Sequence, residues 1–281
     1  MATNTFRVGV TLYSFTTEFY SYKWSFDECM KKASELGPGM GVEIVGPQHH
    51  RDFPNVPKEF ETTFKNACQR YSLVPTSYGA YADPFFWHDR DLTDDDLVEY
   101  TIPQLKGAAR LGFPVVRAQY FIYKVIERLL PYAEKLKLKI GYEVHTPIMF
   151  ETPLGQELIQ QVKKISSPHL GLIPDCSIFE KVAPGTVGPE GEVPPPSNPA
   201  TLKELAPYIN HVHGKFHQMV KGDVPAIPYD GIVKALVAGG FRGWMSTEFE
   251  GGELGEYADS LEVVKAHHTL VKRLIAKYAK A

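Results

Sequence analysis

Three cysteines in 281 residues, Cys29, Cys68 and Cys176, are too few and too widely spaced for a disulfide framework or a structural zinc site, and fit reduced thiols. No run of about 18 consecutive apolar residues occurs, and the stretch from Met1 to Arg7 lacks the charged and apolar regions of a secretion signal. The expectation is therefore a cytoplasmic protein that does not engage the membrane. Charge of one sign is missing too. With 30 Lys and Arg against 33 Asp and Glu, a net charge of −3 and no basic run, there is no electrostatic footprint for nucleic acid or anionic lipid.

What is present is a rhythm. Short apolar or β-branched runs at 8–12, 41–45, 74–78, 115–119, 139–143, 170–175, 209–213 and 244–248 are each followed by a helical stretch or by a loop leading to one. A helix over 25–36 has Ser25 as N-cap, Glu28 in capping-box position and a stop at Gly37-Pro38. Apolar residues at three- and four-residue intervals predict further helices over 58–71, 94–111, 154–165, 230–237 and 260–278. Pro131 interrupts the fourth unit and is expected at a helix N1 position, because in a helix interior it costs about 3 kcal/mol. Eight β/α units in a chain of this length predict an α/β protein, a single (β/α)8 TIM barrel occupying 1–281 as one domain; a doubly wound sheet with extra units shares the pattern. The Pro/Gly-rich segment 183–200, with Pro194-Pro195-Pro196, follows the sixth strand and is expected to lack regular structure. In a βα position it would lie over the C-terminal face as a lid or partner-docking loop, or else be a disordered insertion.

The last four strands each end in a metal-competent side chain: Glu143 in Ile-Gly-Tyr-Glu-Val-His, Asp175 in Gly-Leu-Ile-Pro-Asp, His213 in Asn-His-Val-His-Gly-Lys and Glu248 in Trp-Met-Ser-Thr-Glu. Their separations of 32, 38 and 35 residues match one βα unit each, which puts all four at one height on consecutive strands. Any one of them alone reads as a helix cap or an ion-pair partner. As a set, three carboxylates and an imidazole are costly to bury without a cation. Three oxygens and one nitrogen favour a divalent metal such as Mn2+, with Mg2+ and Co2+ close behind and Zn2+ and Fe2+ also open.

These strands, together with Gly240-Phe241-Arg242-Gly243-Trp244 leading to Glu248, resemble the sugar phosphate isomerase/epimerase superfamily of xylose isomerase-like barrels over nearly the whole chain. The resemblance implies that the four residues bind a catalytic divalent metal and that His213, the second His of its His-x-His strand, is the ligand rather than His211. Ketose 3-epimerases of that superfamily place a substrate-binding His three residues after the sixth-strand Asp; here Asp175 is followed by Cys176, Ser177 and Ile178. Gly-Tyr-Glu143-Val-His145, Ser-Pro-His-Leu-Gly-Leu-Ile-Pro-Asp175 and Trp-Met-Ser-Thr-Glu248-Phe-Glu250-Gly-Gly are instead similar to the α subunits of bacterial C-glycoside deglycosidases. That likeness implies a small β subunit as partner in a hetero-oligomer, and a glycoside substrate whose 3-oxo sugar is cleaved from an aromatic aglycone.

A C–C glycosidic bond offers no leaving-group oxygen to protonate, so the two-carboxylate route of ordinary glycosidases does not apply. With a ketone at C3, the C2 proton is acidified and the aglycone can leave C1 by β-elimination, the metal stabilising the enolate. His145, two residues beyond Glu143 and on the same side of the strand, is the candidate base; the alternative is that it orients Glu143. Lys215, His217 and Glu250 continue the alternation of His213 and Glu248 and are candidate substrate-binding residues, or else solvated loop charges. Glu43 in Gly-Val-Glu-Ile-Val resembles the superfamily's second-strand Glu and is read as substrate-binding or as a buried acceptor. His211 is expected in the core, Cys176 as packing, and His49 and His50 exposed, the alternative being that they line the sugar pocket. The cluster Tyr78, Tyr81, Phe85, Phe86 and Trp87 is read as a ligand wall or a buried interface. Besides the lyase, the readings carried forward are a metal-dependent ketose or sugar phosphate epimerase/isomerase and a non-catalytic scaffold.

Overall fold

Eight short, almost wholly buried strands run parallel: β1 (Arg7–Thr11), β2 (Gly41–Val45), β3 (Val74–Ala80), β4 (Val115–Ala118), β5 (Lys139–Val144), β6 (Leu170–Pro174), β7 (Val212–Phe216) and β8 (Trp244–Phe249). The computed structural model describes residues 6–82, 90–182, 187–188, 191–251 and 259–279. The strands pair in the order β6, β5, β4, β3, β2, β1, β8, β7. Between the outer two, single parallel bridges at Leu172 with Ile209 and at Asp175 with His213 draw the sheet into a nearly closed barrel. The expected TIM barrel is the observed fold. Among the described residues no helix is long and apolar enough to cross a membrane.

Helices α1 (Phe26–Ser34), α2 (Lys58–Tyr71), α3 (Asp94–Leu111), α4 (Ile126–Leu136), α5 (Pro153–Ile165), α6 (Thr201–Leu205), α7 (Tyr229–Ala238) and α8 (Ser260–Tyr278) alternate with the strands. Each buries one stripe, such as Leu158, Ile159 and Val162 of α5, because a sheet whose two faces are both covered demands an apolar stripe from every helix. The Ser25 capping box is present: the Glu28 carboxylate accepts the Ser25 amide at 2.7 Å and the Ser25 hydroxyl accepts the Glu28 amide at 3.3 Å. Gly112, at φ +90°, ends α3 in a left-handed turn that a side chain would strain.

Three expectations need correction. Pro131 lies inside α4, not at its start, because the chain leaves β4 through a 3-10 turn, Tyr120–Val125, and the helix begins already at Ile126. The seventh strand is shifted three residues along the chain, from 209–213 to Val212–Phe216; Ile209 makes only the isolated bridge, after the turn Ala206–Tyr208. Two pieces of the 183–200 segment pair as short antiparallel strands, Val187–Gly188 with Gly191–Glu192. Further along, Ser197 anchors that segment: its amide donates to the Ile178 carbonyl at 2.7 Å and its hydroxyl to Glu151 at 2.6 Å. Residues 183–186 and 189–190 lie outside the described residues.

Candidate functional site

The strand ends bring a dense polar cluster to the C-terminal mouth, where parallel barrels build their sites. Its centre is the ring of His213 on β7, which is fully buried. Nδ1 stands 3.0 Å from Glu248 Oε2, 3.4 Å from Glu143 Oε1 and 3.7 Å from Asp175 Oδ2. Nε2 points the other way, 2.9 and 3.0 Å from the two oxygens of Glu43 on β2. The three candidate carboxylate ligands thus surround His213 Nδ1. Asp175 accepts the Ser177 amide on Oδ1 at 2.7 Å, but its other oxygen, Oδ2, is buried without a hydrogen-bond partner.

Sequence reasoning missed Arg117. This buried guanidinium on β4 donates from Nε to Glu43 at 3.1 Å, from Nη1 to Glu143 at 2.6 Å and from Nη2 to the Tyr81 hydroxyl at 3.1 Å. The signal was there: a lone Arg inside Val-Val-Arg-Ala, an otherwise apolar strand. Gly79 makes room for it, since a Cβ at that position would lie 2.8 Å from Arg117 Nη2.

Charge sorts itself sharply here. Burial raises carboxyl pKa values, but His213, His211 and Arg117 outweigh it at Glu43 and hold that group well below the usual carboxylate range. Burial is likewise outweighed at Glu143, chiefly by Arg117 and His213, and at Glu248, chiefly by His213, where the pKa falls to about 2. The reverse holds for His213: burial opposes its charged form, yet Glu43 and Glu248 push it well above its ordinary value. The result is a nest of carboxylates around the ring that favours positive charge at its centre. The residues fit a divalent ion there. Glu143, Asp175 and His213 each offer a donor atom within 4.8 Å of the others, and the orphaned Asp175 oxygen faces the same point. Glu43, His211 and His213 form a second such group on the inner side.

A cavity of about 320 Å3 opens in front of the cluster, lined by Tyr13, Tyr81, Arg117, Gln119, Glu143, His145, Lys215, Glu248 and Glu250 among others. His145 Nδ1 lies 2.5 Å from the Thr146 carbonyl oxygen and so carries the proton that bonds to it; its Nε2 lone pair faces Lys215 Nζ at 2.7 Å. Lys215 also donates to Glu250 at 2.6 Å. Burial would lower the Lys215 ammonium, but Asp175, Glu250 and Glu248 hold it above its usual range, so it stays charged. At Glu250 burial prevails over Lys215, and with Glu248 nearby the pKa rises to about 7.

Not every candidate reaches this cavity. His217 is partly exposed, 3.7 Å from Glu180 and outside the lining. Glu43 sits behind His213 with both oxygens engaged by protein donors, away from the space a substrate would enter. His211 is buried and bonds the Ser246 hydroxyl at 2.8 Å, and Cys176 is buried with its thiol pushed up by burial. His49 and His50, expected at the surface, are buried: the Val45 backbone holds His49, the Tyr78 hydroxyl bonds His50 at 2.9 Å, and Phe19, Phe26, Phe53 and Phe60 surround the pair. Of the aromatic cluster, Tyr81 lines the cavity and Tyr78 is core, while Phe85, Phe86 and Trp87 lie outside the described residues.

The chain matches the model of the xylose isomerase-like TIM barrel family over residues 30–267. It is 32% identical to the 3'-dehydrocarminate deglycosidase alpha subunit of a Microbacterium species, over 96% of each chain. To a C-glycoside deglycosidase alpha subunit of Arthrobacter globiformis it is 29% identical, over 96% of this chain and 92% of that one. Among solved structures, L-ribulose 3-epimerase matches with a TM-score of 0.69 at 14% identity, covering 98% of this chain and 96% of that one. The IOLI protein with a binding zinc atom matches at 0.68 and 15% identity, over 97% and 99% of the two chains. Likeness at these identities is one of fold.

Proposed function

The chain belongs to the xylose isomerase-like TIM barrel family, and from that premise we propose that it is the catalytic α subunit of a C-glycoside deglycosidase, a metal-dependent lyase that cleaves the C–C bond of 3-oxo-C-glycosides. The observation that carries this reading is the 32% identity, over 96% of both chains, to a subunit named for deglycosidation of a 3'-dehydro compound. The names of the relatives also support a β subunit as partner in a hetero-oligomer.

Glu143, Asp175, His213 and Glu248 hold the metal, with Mn2+ the best match to three oxygens and one nitrogen. When bound, a divalent ion supplies Lewis-acid polarisation of the C3 carbonyl oxygen. The chain's own residues do the rest. His145, its Nδ1 proton fixed on the Thr146 carbonyl, presents the Nε2 lone pair to the C2 proton. As that proton moves to Nε2, its bonding electrons become the C1–C2 double bond and those of the C1–aglycone bond pass to the aglycone carbon, which takes up a proton. Lys215, held by Glu250, is the cation beside the base; its hydrogen bond to Nε2 passes to a sugar oxygen as substrate enters.

Proton NMR in D2O with Mn2+, offering a 3-oxo-C-glucoside and a ketohexose to the chain with its β partner, tests the reading. Release of free aglycone with loss of the sugar C2 proton is the expected outcome. A new stereoisomer from the ketohexose with no aglycone released would make the chain an epimerase instead. The buried apolar Ile178, where ketose 3-epimerases carry a substrate-binding His, stands against that second outcome.

A further inference from the structure

We propose that Glu43 and Arg117 are positioning residues of the metal centre: Glu43 fixes which nitrogen of His213 faces the ion, and Arg117 fixes which oxygen of Glu143 does. The inference rests on the metal reading above and adds to it the layer that aims two of its ligands.

The two nitrogens of His213 face different carboxylates. Nε2 faces only Glu43, at 2.9 and 3.0 Å from its two oxygens, while Nδ1 faces Glu143, Asp175 and Glu248. Glu43 accepts from Arg117 Nε at 3.1 Å and turns both oxygens to Nε2, so with Nδ1 given to the ion the proton of the neutral ring belongs on Nε2. A nitrogen that carries a proton cannot ligate a metal; the buried carboxylate therefore chooses the donor. Arg117 makes the matching choice at Glu143. Its Nη1 takes Oε2 at 2.6 Å, which leaves Oε1 turned toward His213 Nδ1. The same guanidinium bonds the Tyr81 hydroxyl at 3.1 Å, so the cavity wall and the ligand shell hang from one rigid fork.

The grouping of Glu43, His211 and His213 offers a competing place for an ion. It is the poorer one: both Glu43 oxygens already accept protein hydrogen bonds, and the Arg117 cation stands 3.1 Å from one of them. On the outer side, by contrast, Asp175 Oδ2 is buried and unpartnered.

The test uses the full chain, stripped with chelator and titrated with Mn2+ by calorimetry, as wild type, Glu43→Gln, Arg117→Lys and Asp175→Asn, with thermal melting of each metal-free protein. Arg117→Lys keeps the charge and removes only the fork. Glu43→Gln and Arg117→Lys are expected to weaken Mn2+ binding by about 10- to 100-fold, the usual effect of losing a ligand's partner. Asp175→Asn is expected to weaken it more, and a cooperative melt of each metal-free protein above the titration temperature establishes that the binding compared is that of folded chains. Wild-type affinity in both positioning variants overturns the inference and leaves the metal reading standing. Loss of binding in Glu43→Gln with retention in Asp175→Asn puts the ion in the inner group and overturns it as well. No uptake by the wild type removes the metal reading itself. A readout that needs no variant is the 15N spectrum of the His213 ring loaded with diamagnetic Zn2+: a protonated Nε2 supports the inference, and a metal-bound Nε2 overturns it.

Discussion

His213 and His267 are equally buried, each with 0% of its surface exposed, yet their surroundings shift the first ring's pKa well above and the second's well below the ordinary value. His267, on α8, stacks on Phe216 at 4.3 Å, meets the edge of Tyr229 at 4.6 Å and bonds the Thr247 hydroxyl at 3.0 Å. Nothing there opposes the penalty of burial, and neighbouring His268 adds to it, so its pKa falls well below the ordinary value. His213 suffers the same burial, but Glu43 and Glu248 within about 3 Å reverse the outcome. Neighbours, not depth, decide the charge of a buried imidazole. Carboxylates gathered around one ring favour a cation there, whereas the aromatic rings around the other favour packing.

The comparison breaks most visibly at the carboxylates around His213. Asp175→Asn is expected to lower deglycosidase turnover by about three orders of magnitude, since Lewis-acid stabilisation contributes several kcal/mol to the barrier; turnover at wild-type rates under saturating Mn2+ would show that Asp175 holds no ion. Next in size, His145→Ala should cost about 10^2- to 10^4-fold in turnover, while Mn2+ affinity measured by calorimetry stays within a few fold. A parallel loss of Mn2+ affinity would assign His145 to the support of Glu143 instead of proton transfer.

The neutral histidines are read through pH. The pKa of His267 lies well below 6.5, that of His268 at about 3 and that of His49 at about 4, each through burial first. Between about pH 6.5 and 4 the unfolded chain takes up a proton at each ring and the folded chain does not. Stability is therefore complete above pH 6.5 and falls with falling pH, by up to about 1.4 kcal/mol per pH unit for each ring. Urea midpoints across that window should show the slope, and His268→Gln should flatten it; an unchanged slope would mean that this ring is not held neutral. The smallest effect is expected from His267→Phe, which keeps the shape and the stacking and forfeits the bond to Thr247, a loss of about 1–3 kcal/mol in stability with Mn2+ affinity unaltered.

Most of the fold could be read from the chain because the strand pattern repeats eight times and apolar helix stripes at 25–36, 58–71, 94–111, 154–165, 230–237 and 260–278 follow six of the strands. The three-residue shift of β7 did no harm to the site, since alternate residues share a face whichever end of the strand moves: Lys215 lines the cavity and His213 lies buried among the strand-end carboxylates. What escaped the sequence depends on partners distant along the chain. Arg117 is a site residue only because Glu43 and Glu143, from different strands, converge on it. His49 and His50 follow a strand and look like loop residues, but Phe19, Phe26, Phe53 and Phe60, each from a different segment, close over them. Pro131 sits in a helix interior because the preceding turn sets where α4 begins, a matter of tertiary packing that local propensity does not record.

The most direct test is the metal content of the chain after dialysis against Mn2+, counted by mass spectrometry for the wild type, Asp175→Asn and His267→Phe. One ion per chain in the wild type and in His267→Phe, with none in Asp175→Asn, is the expected result. A wild type that retains no ion, or an Asp175→Asn chain that retains it fully, would contradict a metal centre built around His213.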